Sequence, residues 1–267
     1  MTDCAFFVYH RKDDNMLETC LNSLHVVRPD VHQIVVTDGV PVDVKNYVVR
    51  EFNATLIDVP AARMIKRRAA CKVEMLAGVV NELPDGDRML VSDVDVYFKS
   101  DPFVAFDEHI GMDLGLTTRG YDYMFPINAG IFYVRINDAM REWSQWHMQE
   151  VLQPRWDKYV ALRRKYKHEH FGLDWSVGQD FLIANWLNRD EVWAHHGVKI
   201  EDVGPRFNFC PPTDLLGAVA FAKIRAAVHD DTTVTLHLKS DLKRLVYERG
   251  VLPNALIRHP KGVTAWA

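Results

Sequence analysis

Two carboxylates, Asp93 and Asp95, stand two positions apart directly after the apolar run Met89-Leu90-Val91. Aspartate is depleted in strands, and an ionised carboxylate is costly to bury. A hard divalent cation, Mn2+ or Mg2+, held by carboxylate oxygens and shared with a phosphate-bearing ligand offsets that cost. The plain alternative is a solvated acidic turn, since two aspartates at this spacing also arise by chance.

Other residues can be weighed against that chemistry. His237 and Lys239 are two apart, so in a strand both project to one face, and a histidine beside a cation suits a metal–phosphate site. An alternating strand with exposed polar positions fits equally. Asn128 of Ile127-Asn128-Ala129-Gly130 both donates and accepts hydrogen bonds. Its small neighbours let backbone and ligand approach closely, although the same residues make an ordinary turn. Asp180 of Gly178-Gln179-Asp180 opens an apolar helix, as an N-cap or as a site residue. Arg63, Lys66, Arg67, Arg68 and Lys72 form a basic cluster; Arg63, Arg67 and Lys66 share a helical face, ligand-facing or merely solvated. Tyr9, His10 and Arg11 end the first strand, where a ring could stack on a base or pack in the core. The segment 156–170 is basic and aromatic, which suits a solvated helix, an acceptor or membrane-surface face, or a nucleic-acid patch. Trp143, Trp146, Trp175 and Trp186 could stack on sugars, but core packing is the commoner role.

The elements that must position these residues follow from hydrophobic pattern. Strands are expected over 4–9, 32–37, 55–59 and 89–92. Helices fall between them over 15–27, with Asp13, Asp14 or Asn15 as N-cap, and over 63–83, ending before Pro84-Asp85-Gly86-Asp87. This alternation argues for an α/β fold with an open, mostly parallel sheet flanked by helices. Farther on, strands are expected over 113–117, 130–135, 199–203 and 233–238, and helices over 139–151, 156–167 and 179–187. In open α/β sheets ligands bind beyond the C-terminal ends of the strands. Tyr9, His10, Asp38, Asp93 and Asp95 would share that edge. We read one domain over 1–267, with a nucleotide-binding half over about 1–110 and an acceptor-facing half over about 111–267.

Bulk properties narrow the function classes. The chain of 267 residues is 48% hydrophobic and 25% charged, which is ordinary globular composition. A net charge of −4 gives no overall attraction to polyanions, so nucleic acid would need a local patch. Four scattered cysteines without a Cys-x-x-Cys pair argue against a zinc site or disulfide framework and for reduced thiols in the cytoplasm. No signal peptide is recognisable, and no run approaches the ~20 apolar residues of a membrane span. Membrane contact would be peripheral, at the cytosolic face, through 156–170.

The strand ending in Asp93-Val94-Asp95, followed by Val96-Tyr97-Phe98 and Asp101-Pro102-Phe103, resembles the metal-dependent, nucleotide-sugar-using glycosyltransferases of the GT-A fold, especially the glycogenin and galactosyltransferase group. Asn128-Ala129-Gly130, Gly178-Gln179-Asp180 and His237-x-Lys239 follow in the family's order. The glycine-containing signature that follows the family's histidine is absent.

The resemblance implies a GT-A nucleotide-diphospho-sugar transferase fold. It implies metal ligands Asp93, Asp95 and His237, with one of the two aspartates, often the first, also reaching the ribose. Lys239 would be a cation beside the diphosphate, and a basic residue among Arg63, Arg67 and Lys72 would lie toward the nucleotide or donor sugar. Asn128, Gly130 and Asp180 would face donor sugar or acceptor. The implied reaction moves a sugar from a nucleotide sugar, a UDP-sugar before others, to an acceptor hydroxyl on a glycan, lipid or protein, ahead of a modified nucleic acid. Retention of configuration is favoured; an inverting enzyme would use Asp180 as base, before Asp174 and Asp122.

Two rivals are weighed. A haloacid-dehalogenase-like phosphohydrolase also uses a strand followed by Asp-x-Asp, and Asp230-Asp231 could serve as its later acidic pair, but that motif normally opens the catalytic domain. A non-catalytic sugar-nucleotide-binding module is the other, although it has little reason to keep a buried carboxylate pair.

Overall fold

The computed structural model describes residues 1–9, 16–38, 42–60, 68–118, 127–153, 157, 161, 177–211, 217–238 and 252. Within them the chain order begins β1 (Asp3–Tyr9), α1 (Met16–Val27), β2 (His32–Thr37), α2 (Val42–Glu51), β3 (Ala54–Asp58), α3 (Arg68–Glu82), β4 (Arg88–Ser92), β5 (Val96–Phe98) and α4 (Val104–Glu108). It continues with β6 (Leu114–Thr118), β7 (Ile127–Arg135), α5 (Asp138–Leu152), α6 (Val177–Leu187), α7 (Arg189–His196), β8 (Ile200–Asp202), a 3-10 turn (Pro205–Asn208), α8 (Gly217–His229) and β9 (Thr235–His237).

Seven strands form one sheet in the order β3-β2-β1-β4-β7-β6-β8. Strands β1 to β4 are mutually parallel; β7 runs antiparallel between β4 and β6, and β6 and β8 share the parallel direction of β1 to β4. The α/β class and the mostly parallel sheet agree with the expectation. The long apolar runs have a physical cause: β1 is buried at every position, as a strand covered on both faces requires. Its residues alternate between two cores. Phe6 and Val8 pack with Leu76, Trp143 and Phe181 on one face, and Phe7 and Tyr9 with Leu17, Leu21 and Tyr133 on the other.

Two local anchors tie the chain to this frame. Gly86, at φ 85°, lets the turn between α3 and β4 close, and its N–H donates to the Ile136 carbonyl at 2.8 Å. At the same N-terminal edge, the nearly buried carboxylate of Asp3 accepts from Arg88 Nε at 2.6 Å and from Arg28 Nη2 at 2.7 Å. Arg28 also grips Asp101 with Nη1 at 3.0 Å, so the segment after the aspartate pair is held to the sheet's N-terminal edge.

Strand β2 lies where expected, over 32–37, and the other expected strands differ by one to three residues at their ends. Strand β7 starts at Ile127, so Asn128 and Gly130 lie within a strand. Helix α6 starts at Val177, which makes Asp180 its fourth residue and takes it out of the N-cap position. The first turn of this helix admits Gly178, which the reading at 179 had placed outside it. Of the expected helix over 156–167 only positions 157 and 161 are described, both helical; Asp13, Asp14, Asn15 and residues 63–67 lie outside the described residues.

Candidate metal and diphosphate site

Strand β4 ends at Ser92, and the next N–H, that of Asp93, donates to the Gly130 carbonyl of β7 at 2.7 Å. The ladder thus carries Asp93 one residue past the strand, where it stands at the sheet's C-terminal edge. Asp95 begins the step down to β5, which pairs antiparallel with β9 in a separate two-stranded ribbon. There Val96 is opposite His237, and the Leu238 N–H donates to the Asp95 carbonyl at 2.7 Å. Backbone pairing therefore brings a histidine distant in sequence onto the aspartate pair.

The side chains converge. Among the described residues, Asp93, Asp95 and His237 offer ligand atoms that all lie within 4.8 Å of one another. His237 Nε2 is 3.1 Å from Asp95 Oδ1 and 3.9 Å from Asp93 Oδ2. For an octahedral ion with bonds of about 2.1 Å, neighbouring ligands are about 3 Å apart and opposite ones about 4.2 Å. Two carboxylates and one imidazole make a mixed oxygen–nitrogen donor set, which suits Mn2+, and Mg2+ through its oxygens. The residues fit a divalent ion.

The other Asp93 oxygen is committed elsewhere. Lys72 Nζ, on α3, donates to Asp93 Oδ1 at 2.7 Å. One oxygen of Asp93 faces a lysine and the other faces the imidazole. Asp93 is the more exposed carboxylate, at 43% against 17% for Asp95, so it is the one placed to meet ligand. Beneath the pair, Cys20 reaches the Asp93 carbonyl with Sγ. Burial, and then the Asp95 charge, push this thiol well above its ordinary pKa, so it stays protonated and unreactive.

His237 is fully buried, and the fold makes room for it. A Cβ built on Gly130 would overlap the His237 ring, so the gap left by this glycine is filled by imidazole. Behind the ring, His237 Nδ1 lies 3.0 Å from Asn208 Oδ1 and 3.2 Å from Asn128 Nδ2. The Asn128 Oδ1 accepts from the Gly130 N–H at 3.1 Å. A chain of polar groups thus supports the histidine from inside.

No family model matches the sequence, and no curated protein matches it. Solved structures do match in shape. The galactosyltransferase LgtC, in complex with donor and acceptor sugar analogues, has a TM-score of 0.53 at 17% identity, covering 94% of this chain and 97% of its own. Mouse xyloside xylosyltransferase 1 gives 0.52 at 14% identity, over 88% of this chain and 96% of its own. Apo GlyE of Streptococcus pneumoniae gives 0.50 at 14% identity over 95% of this chain, which spans 61% of the GlyE chain. The chain has the GT-A glycosyltransferase fold.

Within this GT-A fold the sequence-derived candidates fall in distinct places. Asp93, Asp95, His237, Lys72 and Gly130 come together. Tyr9 ends β1 with its ring buried in the core, and Asp38 is buried just after β2, both at the C-terminal edge. Asn128 is 1% exposed, and its amide is engaged by Gly130, Asn208 and His237, which sets it behind the imidazole. Asp180 is fully buried on α6. His10, Arg63, Arg67, Lys239, Asp122, Asp174 and all the basic and aromatic residues of 156–170 lie outside the described residues. Trp143 is a core residue that donates to Asn185 Oδ1 at 3.1 Å, and Trp146 stacks on His196.

Asn208 and Thr117 were not singled out in the sequence. The available signal was Phe207-Asn208-Phe209, an amide between two aromatic residues, which must find polar partners if buried. The acidic pair required by the phosphohydrolase reading does not form a site. Asp230 accepts from the Thr232 N–H and from the Thr232 and Thr233 hydroxyls in an exposed turn.

Two outcomes follow. Gly130→Ala drives a methyl into the His237 ring and should lower stability by about 1–3 kcal/mol in urea titrations. In its folded fraction, Mn2+ affinity by calorimetry should fall at least about tenfold. The second concerns His147, buried on α5 and stacked on Phe181 at 4.4 Å. Burial pushes its pKa down to about 3; Lys72's charge adds to this, against a backbone contact at Gly178. The unfolded chain binds this proton below about pH 6.5 and the folded chain does not, so stability falls as pH drops from there toward 3. His147→Phe should flatten that slope by up to about 1.4 kcal/mol per pH unit, read from urea midpoints between pH 4.5 and 7.

Proposed function

We propose that this chain is a glycosyltransferase that moves a sugar from a nucleoside-diphosphate sugar, UDP-linked, to an acceptor hydroxyl. The observation that carries the reading is the Asp93, Asp95 and His237 triad at the C-terminal edge of the sheet. The whole chain is read as one catalytic domain, its first half, about 1–110, taking the nucleotide and its second half, about 111–267, facing the acceptor. The acceptor is a glycan, lipid or protein. A modified nucleic acid is disfavoured by the net charge of −4. None of the helices in the described residues is long and apolar enough to cross a membrane. We place the enzyme in the cytoplasm, with 156–170 as a peripheral contact for the cytosolic membrane face.

Asp93, Asp95 and His237 would hold Mn2+ or Mg2+. When bound, the ion neutralises charge developing on the leaving diphosphate and orients the donor. The protein's own groups divide the remaining work. Lys72 holds one Asp93 oxygen, which fixes the carboxylate's rotation and adds a permanent positive charge beside the site. Lys239, two residues beyond His237, is assigned to the diphosphate as a second cation. Arg63 or Arg67 is assigned to the nucleotide or donor sugar, and Tyr9, His10 and Asp38 to the base end of the pocket. Gly130 and Asn128 act through His237, Gly130 by leaving space and Asn128 by packing behind the ring, bonded to Gly130 and Asn208. Transfer with retention of configuration needs no protein base; with inversion, Asp180 would remove the acceptor proton.

Thermal shift with a nucleotide-sugar panel tests the reading. A UDP-sugar should raise the melting midpoint with Mn2+ present and not in excess chelator. At 100 times Kd the gain is about 2.7 kcal/mol. Asp95→Asn should remove the shift and lower UDP release at least about 100-fold without lowering the unliganded midpoint. Full turnover of that variant in chelator would contradict the metal assignment.

A further inference from the structure

The buried side of His237 carries information that the open side does not. Asn208, 3% exposed, ends the 3-10 turn that runs beside β9. Backbone bonds seat this turn: the Phe209 N–H donates to the Thr235 carbonyl at 3.1 Å and the His237 N–H to the Phe209 carbonyl at 2.9 Å. Asn208 is thereby carried to the rear of the imidazole.

Two backbone groups decide which way the amides point. Asn208 Nδ2 lies 3.2 Å from the Asn128 carbonyl, a group that only accepts, and 2.9 Å from Thr117 Oγ1. Reversing this amide would set oxygen against oxygen. Asn128 Oδ1 lies 3.1 Å from the Gly130 N–H, a group that only donates. Asn208 Oδ1 therefore faces both His237 Nδ1, at 3.0 Å, and Asn128 Nδ2, at 3.3 Å. A carbonyl oxygen accepts two hydrogen bonds, and both are supplied if Nδ1 carries the proton. With the proton on Nε2 instead, an Nδ1 lone pair could accept from Asn128 Nδ2 at 3.2 Å but would confront the nearer Asn208 oxygen at 3.0 Å, whereas Asn128 Nδ2 already has that oxygen to donate to, and the Nε2 position would be taken by hydrogen.

We propose that Asn208 is a positioning residue that fixes His237 as the Nδ1–H tautomer, so that the Nε2 lone pair is aimed at Asp93 and Asp95. This rests on reading the triad as a metal site. Thr117 secures Asn208 in turn: its hydroxyl accepts from Asn208 Nδ2 and lies 3.1 Å from both the Asn128 and Ile131 carbonyls. A hydrogen bond to the second ring nitrogen holds the tautomer and ring angle of a ligating histidine and raises its basicity.

The test measures Mn2+ binding by calorimetry and the His237 tautomer by 15N NMR of the Mg2+-loaded protein. Asn208→Leu removes the acceptor and should weaken Mn2+ binding 10- to 100-fold. Asn208→Asp keeps an oxygen facing Nδ1, although its second oxygen meets the Asn128 carbonyl, and should bind Mn2+ more tightly than Asn208→Leu. The parent spectrum should place the proton on Nδ1. Parental Mn2+ affinity in Asn208→Leu, equal weakness in Asn208→Asp, or a parent proton on Nε2 would each overturn the role of Asn208. A parent that takes up no millimolar Mn2+ would instead overturn the metal reading beneath it, an outcome separable from the others because it appears before any substitution.

Discussion

Two carboxylates and a buried imidazole meet at one point, and the surrounding structure is arranged to permit it. Like charges within 4.8 Å repel by roughly 3–4 kcal/mol at an effective dielectric of about 20. Lys72 offsets part of that from one side of Asp93, and a divalent ion would reverse its sign on the other. The aspartate pair therefore sits where a strand ends and water begins, and the imidazole, which is neutral as a ligand, takes the fully buried place.

Strand β7 links the parts. Its Gly130 carbonyl holds the Asp93 backbone, its Gly130 N–H holds Asn128, and its missing side chain houses His237. Because β7 is antiparallel to both β4 and β6, it brings residues from the second half of the chain against the end of β4. The β5–β9 ribbon then delivers His237 from the far end of the sequence. Three segments with no sequence proximity are joined by backbone pairing, so the site's geometry is set largely by main-chain hydrogen bonds.

Much of this frame was legible in advance. Strands β1, β2 and β4 announce themselves through apolar runs, which a doubly covered parallel sheet demands. The aspartate pair was legible because it contradicts its surroundings. The missed elements have the opposite character. Gly217–His229 is built on alanines, which favour helix but draw no strong apolar stripe. Val42–Glu51 opens with Val-Asp-Val, whose alternation suits a strand as well as a helix. Asn208 acts on Asn128, 80 residues away, and on His237, 29 away, and Thr117 on Asn128, 11 away, distances that local pattern cannot see.

The likeness to LgtC and mouse xyloside xylosyltransferase 1 is one of shape, at 17% and 14% identity. The proposed glycosyl transfer rests instead on the set of groups that this chain's own fold assembles. Anomalous diffraction from crystals soaked with Mn2+ and UDP tests that most directly. The account predicts one manganese peak bonded to Asp93, Asp95 and His237 Nε2, with the diphosphate completing its shell. Manganese held elsewhere, or UDP bound with no metal between these three side chains, would contradict it.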